Sequence, residues 1–341
     1  MFNKFILFLA IFISGNLITA AQNVTWPKEH IIALTSEWTG ERFPDGRPKV
    51  SDELLERLKG ISMEEAWAAL RQKGYYNQFE NFNGASENPW IILHPDQPMT
   101  GRVVTAQYIP LRPDLQNYVQ AQGKIEKNPL KITNSSPINI LTEGDVYVAD
   151  GYNKIIDGTL IGDNLGNAIW AASKRGFIFN ASIRDMAGNL RIEGYNGWFR
   201  GSDPSAISQM MLTTINGPIR IGRATVLPGD VVLAKNTGVV FIPAPLVADL
   251  VISGEYTHLL DEFTFQRIAD KKYEYKNEGF VGGWTEEINA DFLDWLNHYP
   301  NLPMSKKELD DYVKAHPHKI GPRSENPPAN SNVEKEKKGK K

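Results

Sequence analysis

The centre of this 341-residue chain places a strand, a helix and a second strand in close succession. The segments DVYVA at 145–149 and FIFNA at 177–181 have the short, β-branched and aromatic composition of strands. Between them, LGNAIWAASK at 165–174 is typical of a helix that stops near Gly176. A strand, a helix and a strand in this order form a βαβ unit, so the two strands should run parallel. The sequence therefore predicts an α/β fold.

Three charged residues flank this unit. Asp163 comes just before the predicted helix, and the pair Arg184 and Asp185 follows the second strand. A helix of about ten residues rises roughly 15 Å, and a strand of five or six residues covers about 17 to 20 Å. The chain that leaves the helix therefore returns along the strand to the level of the helix start. We expect the three side chains to meet at the carboxyl ends of the strands, where open α/β sheets usually bind ligands.

Each of these residues also has a purely structural interpretation. Asp163 is a good helix N-cap, and Arg184 with Asp185 could form an exposed ion pair that contributes little. Together, however, they suit a ligand: the free amides of Asn164 and Leu165 at a helix start favour an anion, a guanidinium holds a carboxylate, and carboxylates bind a hard divalent cation. The combination predicts one pocket for an anionic oxo acid and a metal ion.

The arrangement Asp163, twenty residues, Arg184 and Asp185 resembles the D-x20-R-D motif of the class II pyruvate aldolases called 4-hydroxy-4-methyl-2-oxoglutarate aldolases. The same family includes the ribonuclease-activity regulator A (RraA) proteins. Further segments follow in the family's order over about residues 100–250, and this makes the resemblance more specific than the spacing alone. These segments are GRVVTAQ from Gly101, GDVYVADG from Gly144, GDNL from Gly162, RGSDPS from Arg200 and VLPGDVVLAKNTGVVFIP from Val226.

The resemblance implies a β/β/α sandwich of the swivelling-domain type, assembled as a homotrimer or a multiple of trimers with active sites at subunit clefts. It implies that Asp185 binds Mg²⁺ or Mn²⁺, that Arg184 holds the carboxylate or keto oxygen of a small oxo-acid substrate, and that Asp163 acts through metal-bound water. The amides of Asn164 and Leu165 would take the pyruvate carboxylate.

The implied activity is retro-aldol cleavage of a 4-hydroxy-2-oxo acid through a pyruvate enolate. A metal and a guanidinium stabilise such an enolate without a Schiff-base lysine. Decarboxylation of oxaloacetate would use the same enolate. The alternative is a non-catalytic binding or regulatory protein of the RraA type, because a fold does not determine a function. The intact set of Asp163, Arg184 and Asp185 favours the enzyme.

Composition changes along the chain, and these changes predict its organisation. Residues 1–21 have the lysine, short apolar run and small residues of a signal peptide, and residues 22–99 are expected to form a helical N-terminal extension. The RraA-like catalytic domain would cover 100–252 and a helical C-terminal extension 253–320. The lysine-rich tail 321–341 has too few apolar residues to fold. In the N-terminal extension, Ser51 or Asp52 and the pair Ser62 and Glu65 are typical of helix starts.

The first 21 residues predict export to the periplasm or the medium, with cleavage near Ala20 or Ala21. An uncleaved membrane anchor is the alternative, although the apolar run is shorter than the roughly 20 residues of a membrane span. The chain has no cysteine, which excludes disulfides and a lipoprotein thiol. Its formal net charge of −3, or −4 once Lys4 is removed, does not suggest a nucleic-acid partner.

Overall fold

The structure is a computed structural model that describes residues 23–81, 89–126, 132–273 and 284–316. The predicted signal peptide and the predicted basic tail lie outside the described residues. No helix among the described residues is long and apolar enough to cross a membrane.

A mixed sheet of nine strands forms the centre of the described part of the chain. Its strands are β1 (Phe79–Asn81), β2 (Ile91–Ile92), β3 (Met99–Pro110), β4 (Asp145–Thr159), β5 (Gly176–Ile183), β6 (Asn196–Ser202), β7 (Met210–Ile215), β10 (Val231–Lys235) and β11 (Gly238–Ile242). They lie in the order β1-β11-β10-β3-β4-β5-β6-β2, and β7 pairs with the second half of β3. A separate hairpin consists of β8 (Ile219–Ile221) and β9 (Ala224–Val226).

The predicted βαβ unit lies in the middle of this sheet. Strands β4 and β5 are parallel, as predicted, and β3 and β6 extend the parallel arrangement on either side. The connecting helix α5 spans Asp163–Ser173 and therefore begins two residues earlier than the sequence indicates. It ends where Lys174 adopts a left-handed conformation with φ 53°, and this turns the chain into β5.

Helix and hairpin cover opposite faces of the sheet. On one face, the buried Ile169 of α5 packs with Phe177 and Phe179 of β5. On the other face, Ile221 of the β8–β9 hairpin packs against a core that includes Trp198. The order hairpin, sheet and helix agrees with the predicted β/β/α sandwich. Two further helices, α4 (Pro113–Ile125) and α6 (Met186–Asn189), connect strands near the carboxyl ends of the parallel strands.

The N-terminal region contains both helices and strands. Helices α1 (Lys28–Leu34), α2 (Asp52–Leu58) and α3 (Met63–Gln72) agree with the prediction, and α2 and α3 begin at the predicted caps Ser51 and Ser62. The sequence predicts a helical extension here, whereas β1 and β2 join the two edges of the sheet by pairing with β11 and β6. These strands have only three and two residues, too few for an alternating pattern to be visible.

In the described part of the chain, three α-helices follow the sheet. Helix α7 (Val247–Ala269) starts within the sheet core and continues into a bundle with α8 (Glu286–Asn297) and α9 (Lys306–Ala315). Aromatic side chains fill the bundle: Phe263 packs edge-on against Phe292 and lies 5.7 Å from Trp295 between ring centroids. The C-terminal region is therefore helical as predicted, with a core of its own.

Candidate functional site

A cavity of about 130 Å³ lies at the carboxyl ends of β4 and β5, beside the start of α5. All five residues that the sequence singles out line it, and they are Asp163, Asn164, Leu165, Arg184 and Asp185. These residues are thus close together in space, as the helix rise and the strand length predict. Their chemical roles remain predictions.

The pair Arg184 and Asp185 follows β5 directly. The backbone N–H of Arg184 donates to the carbonyl of Ile161 at 3.0 Å, which fixes the pair beside the start of α5. Nε of Arg184 lies 3.5 Å from Oδ2 of Asp185, and each side chain is a little under half exposed. This is a loose contact rather than a two-pronged ion pair, so both charged groups remain accessible to a ligand.

Gly162 allows the charged pair to approach the helix start. A Cβ atom at this position would lie 2.3 Å from Oδ2 of Asp185 and 3.1 Å from Nε of Arg184. The backbone of Gly162, with φ −108°, is accessible to any residue, so the requirement for glycine comes from this close contact and not from strain. The sequence motif contains this glycine, but only the structure explains it.

The start of α5 supplies backbone donors. Its N-cap is Gly162, and the first backbone bond of the helix runs from the N–H of Gly166 to the carbonyl of Gly162 at 2.9 Å. The amides of Asp163, Asn164 and Leu165 precede that bond and are therefore outside the regular helical pattern, as required for anion binding.

The capping role predicted for Asp163 is wrong, because the residue is the first of the helix and makes no side-chain cap hydrogen bond. Its carboxylate packs instead against α6, where a Cβ on Gly188 would lie 2.3 Å from Oδ2 of Asp163. Asp163 is thus held between two helices, in the first turn of α5, where the partial positive charge of the helix start favours a carboxylate. Its carboxylate also lines the cavity.

Asn189 is a site residue that the sequence analysis missed. Its side chain is buried, and Nδ2 donates to the carbonyls of Arg184 at 3.0 Å and Asp185 at 3.2 Å. Asp185 has a left-handed backbone with φ 55°, which is uncommon for residues other than glycine and costs energy unless neighbouring groups hold it. Asn189 provides that support. A local motif could not reveal it, since asparagine commonly binds nearby backbone groups in turns and helix ends far from any functional site.

Asn134 is a second residue that the sequence analysis did not identify. It comes from the segment before β4, and its Nδ2 donates to the carbonyl of Leu160 at 2.6 Å. Asn134 and Ile207 separate the site from a neighbouring cavity of about 340 Å³, because both residues line both cavities.

The donor set fits a hard divalent cation of the Mg²⁺ type. Among the described residues, no three His, Cys, Asp or Glu side chains cluster closely enough to form a metal cage. Mg²⁺ does not need one, because it usually keeps several waters and is bound by one or two carboxylates together with substrate oxygens. The half-exposed carboxylate of Asp185, with Asp163 lining the same cavity, meets that requirement. Transition metals that prefer nitrogen or sulfur ligands are a poorer match.

The site of this α/β sandwich combines a helix start, a guanidinium and two carboxylates around one cavity. The RraA-like family, described as Aldolase/RraA, matches residues 48–241 of this chain. The protein belongs to that family, which includes both aldolases and RraA-type inhibitors of ribonuclease E. The match begins well before residue 100, so the helices α2 and α3 and the edge strands lie within the matched region.

Solved structures agree on the fold. Streptomyces coelicolor RraAS2, described as an unusual member of the RNase ES inhibitor RraA protein family, is 24% identical over 64% of this chain and 100% of its own, with a TM-score of 0.52. An uncharacterized protein from Pseudomonas syringae pv. tomato is 18% identical over 68% of this chain and 95% of its own, with a TM-score of 0.50. At these identities the likeness concerns the fold alone.

Proposed function

We propose that this protein is a lyase that depends on a divalent metal and cleaves a 4-hydroxy-2-oxo acid by a retro-aldol reaction. One observation carries the proposal: Asp163, Arg184 and Asp185 surround a single cavity at the start of α5. Asp163 makes no side-chain cap hydrogen bond at this helix start, so its carboxylate is available to a ligand in the cavity.

The protein's own groups suffice to bind and orient the substrate. The amides of Asn164 and Leu165 donate to the substrate carboxylate, where the partial positive charge of the helix start favours an anion. The guanidinium of Arg184 donates to the keto oxygen. Asp185, with water, would hold Mg²⁺ or Mn²⁺, and this ion would supply a Lewis acid at the same oxygen.

The reaction then follows from where charge develops. Asp163 accepts the proton of the 4-hydroxyl group, directly or through a water molecule. The C3–C4 bond breaks as the C4–O bond becomes a carbonyl. The electron pair of the broken bond moves into the enolate of pyruvate, whose oxygen Arg184 stabilises. Asp163 returns the proton to C3 of the enolate, directly or through a water molecule, and pyruvate is released. Oxaloacetate would reach the same enolate by loss of CO₂, which makes its decarboxylation a second candidate activity.

A non-catalytic role is the competing proposal. The structural neighbour from Streptomyces coelicolor is named for ribonuclease inhibition, and such a protein acts by contacting a partner. That role does not require three charged side chains around one cavity. It predicts a protein that folds normally but releases no pyruvate from any oxo acid.

The test is a pyruvate-release screen over 4-hydroxy-2-oxo acids and oxaloacetate, with Mg²⁺, with Mn²⁺ and with EDTA. We expect activity that EDTA removes and that Asp185→Ala abolishes, whereas the exposed Asp249→Ala serves as a control and keeps it. Arg184→Lys keeps the charge but loses the planar fork, and we expect a cost of roughly 2 to 4 kcal/mol in transition-state stabilisation. Asp163→Asn should lower turnover with the fold intact. Full activity in all three variants would contradict the site.

We also propose that the protein is exported, as the first 21 residues indicate. N-terminal sequencing of the mature protein should find a start near Gln22 or Ala21. Retention of Met1 on a protein recovered from the cytoplasm would contradict export, and retention of Met1 on a membrane-bound protein would indicate an uncleaved anchor.

A further inference from the structure

The second cavity lies beside the proposed active site and is the larger of the two, at about 340 Å³ against about 130 Å³. Asn134 and Ile207 line both, and their chain neighbours Thr133 and Ser208 continue into the second cavity. A volume of this size falls within the usual range of ligand pockets, about 300 to 1,000 Å³. A substrate whose first carbons occupy the small cavity would therefore extend past Asn134 into the large one.

Every described residue that lines the second cavity is uncharged. The amides and hydroxyls come from helix α4, from the chain before β4 and from the segment before β7, while the apolar wall includes Val119, Ile132 and Met210. The lining thus offers hydrogen-bond donors and acceptors together with apolar surface, but no described cation that would neutralise a carboxylate.

Three of the polar side chains are available to a ligand. Within the described part of the chain, Gln116, Ser208 and Gln209 have no side-chain hydrogen bond. Gln120, by contrast, is already engaged with the backbone of Ile132 at 2.7 Å and 3.0 Å. An amide and a hydroxyl both donate and accept, which matches the hydroxyl groups of a neutral chain. A carboxylate placed here would lose water without gaining a cation from the described lining, and this is unfavourable.

We infer that the substrate is a 4-hydroxy-2-oxo acid whose chain beyond C4 is uncharged and hydroxylated, and that this chain lies in the second cavity. The inference rests on the proposed function for the position of the first carbons. It excludes dicarboxylic oxo acids as preferred substrates, since their second carboxylate would enter a cavity without a described positive charge.

Two kinds of six-carbon acid, equal in length, test the inference on the full-length protein with Mg²⁺. The first kind is 2-oxo-3-deoxygluconate and its C4 epimer, which both carry hydroxyls at C4, C5 and C6. The second is 4-hydroxy-2-oxoadipate, which carries a carboxylate at C6. We expect kcat/KM for pyruvate release to be at least about tenfold higher with one of the hydroxylated acids. An equal or higher value with the dicarboxylate overturns the inference.

Binding separates this inference from the proposed function. If neither acid releases pyruvate, calorimetry with each acid still decides the matter. Tighter binding of a hydroxylated acid supports the inference of a neutral second cavity, while the lyase proposal fails. Equal or tighter binding of the dicarboxylate overturns the inference.

A charged variant gives the converse test. Gln116→Arg places a cation in the wall of the second cavity, and we expect it to lower KM for the dicarboxylate about tenfold and to raise KM for the hydroxylated acid. Asn117→Arg adds the same charge to an exposed position of the same helix outside the cavity and should leave both values unchanged. If Gln116→Arg changes substrate preference no more than Asn117→Arg does, the second cavity does not hold the chain.

Discussion

Gly162 and Asn189 hold the pair Arg184 and Asp185 from two sides. Gly162 leaves room for the two side chains, and Asn189 binds the two backbone carbonyls. Neither residue carries a charge or a reactive group. The geometry of the site therefore depends on the small size of Gly162 and on the buried side-chain amide of Asn189, which donates hydrogen bonds.

Gly162→Ala should abolish the proposed pyruvate release without unfolding the protein. The added Cβ would overlap Oδ2 of Asp185, and because this atom ends a side chain, the carboxylate can move aside at little cost to the fold. A displacement of about 1 Å in a catalytic group can lower activity about 100-fold. Pyruvate release measured beside the melting temperature checks this. Gly60→Ala, where the new Cβ would approach nothing closer than 3.3 Å, is the matched control and should retain activity. Unchanged activity in Gly162→Ala would show that Asp185 is free to move without consequence.

Asn189→Ala should weaken metal binding as well as turnover. The substitution removes the side-chain amide that donates to the carbonyls of Arg184 and Asp185. The backbone N–H groups of Gly188 and Asn189 still donate to the carbonyl of Asp185, so the expected loss of about 1 to 3 kcal/mol in stability comes mainly from the carbonyl of Arg184. If Asn189 only stabilised the fold, the variant would bind Mn²⁺ normally below its melting temperature. A rise of at least about tenfold in the Kd for Mn²⁺ would indicate a positioning role. The exposed Asn297→Ala is the control, and equal Mn²⁺ affinity in both variants would refute that role.

Arg57 links three helices at the scale of elements. It lies in α2, its Nη2 is 2.7 Å from Oε2 of Glu255 in α7, and its Nη1 is 2.9 Å from Oε1 of Glu308 in α9. The hydrogen bonds that Arg57 donates to Glu255 are the main cause that raises the pKa of Arg57 above its ordinary value. The C-terminal bundle is thus attached to the N-terminal helices by a charged contact that is mostly shielded from water.

Arg57→Ala should destabilise the protein, because it leaves the carboxylate of Glu255, which is only 7% exposed, without its partner. Removing one side of a buried pair costs about 3 to 5 kcal/mol, and denaturant unfolding measures the loss. The double variant Arg57→Leu with Glu255→Leu removes both charges and should recover much of it. A loss below about 1 kcal/mol in Arg57→Ala would indicate that the contact behaves as a surface ion pair.

Asp230, in the turn before β10, makes stability depend on pH. Burial is the main cause that raises its pKa to about 7, and the N–H of Leu227 partly opposes this by donating to its carboxylate at 2.8 Å. In the unfolded chain the pKa is about 3.9. Between those values only the folded protein keeps the proton, so stability falls as pH rises from about 4 to 7 and stays lower above 7.

Asp230→Asn removes this titration. We expect the stability of the variant not to fall between pH 4 and 7 as that of the parent does. At pH 8 the variant should be more stable than the parent by about 2 to 4 kcal/mol. Unfolding in urea across this pH range is the measurement, with the exposed Asp249→Asn as control. A variant that is less stable than the parent at pH 8 would show that the carboxylate is charged and satisfied in the folded protein.

On the scale of the whole molecule, the sheet is covered on one face by α5 and on the other by the β8–β9 hairpin, and the C-terminal bundle forms a separate core. Several large apolar side chains nevertheless remain exposed on the single chain, among them Ile125 at 71% and Ile156 at 67%. Members of the RraA-like family are typically trimers, and we propose the same assembly here.

Light scattering on the purified protein should therefore give a mass three times that of one chain, or a multiple of it. Dilution should lower specific activity once the oligomer dissociates, if the active sites lie in clefts between subunits. A stable monomer with full activity would contradict both the trimer and the shared cleft, while leaving the chemistry of the site within one chain open to the tests above.

The features that could be predicted from the sequence depend on local signals. The β4-α5-β5 unit, the starts of α2 and α3 and the convergence of Asp163, Arg184 and Asp185 all follow from periodicity, caps and segment lengths, which act over a few residues or one βαβ unit. The spacing of the charged residues, together with the ordered segments around it, also identified the family.

Contacts between distant segments decided the rest. The edge strands β1 and β2 exist because β11 and β6 lie beside them, and their two or three residues have no strand pattern of their own. Asp163 of α5 faces Gly188 of α6, a residue of a different helix, rather than the end of its own helix. The second cavity joins residues from α4, the chain before β4 and β7. Only tertiary packing brings such groups together, since no signal within a short segment encodes the distance between two parts of a folded chain.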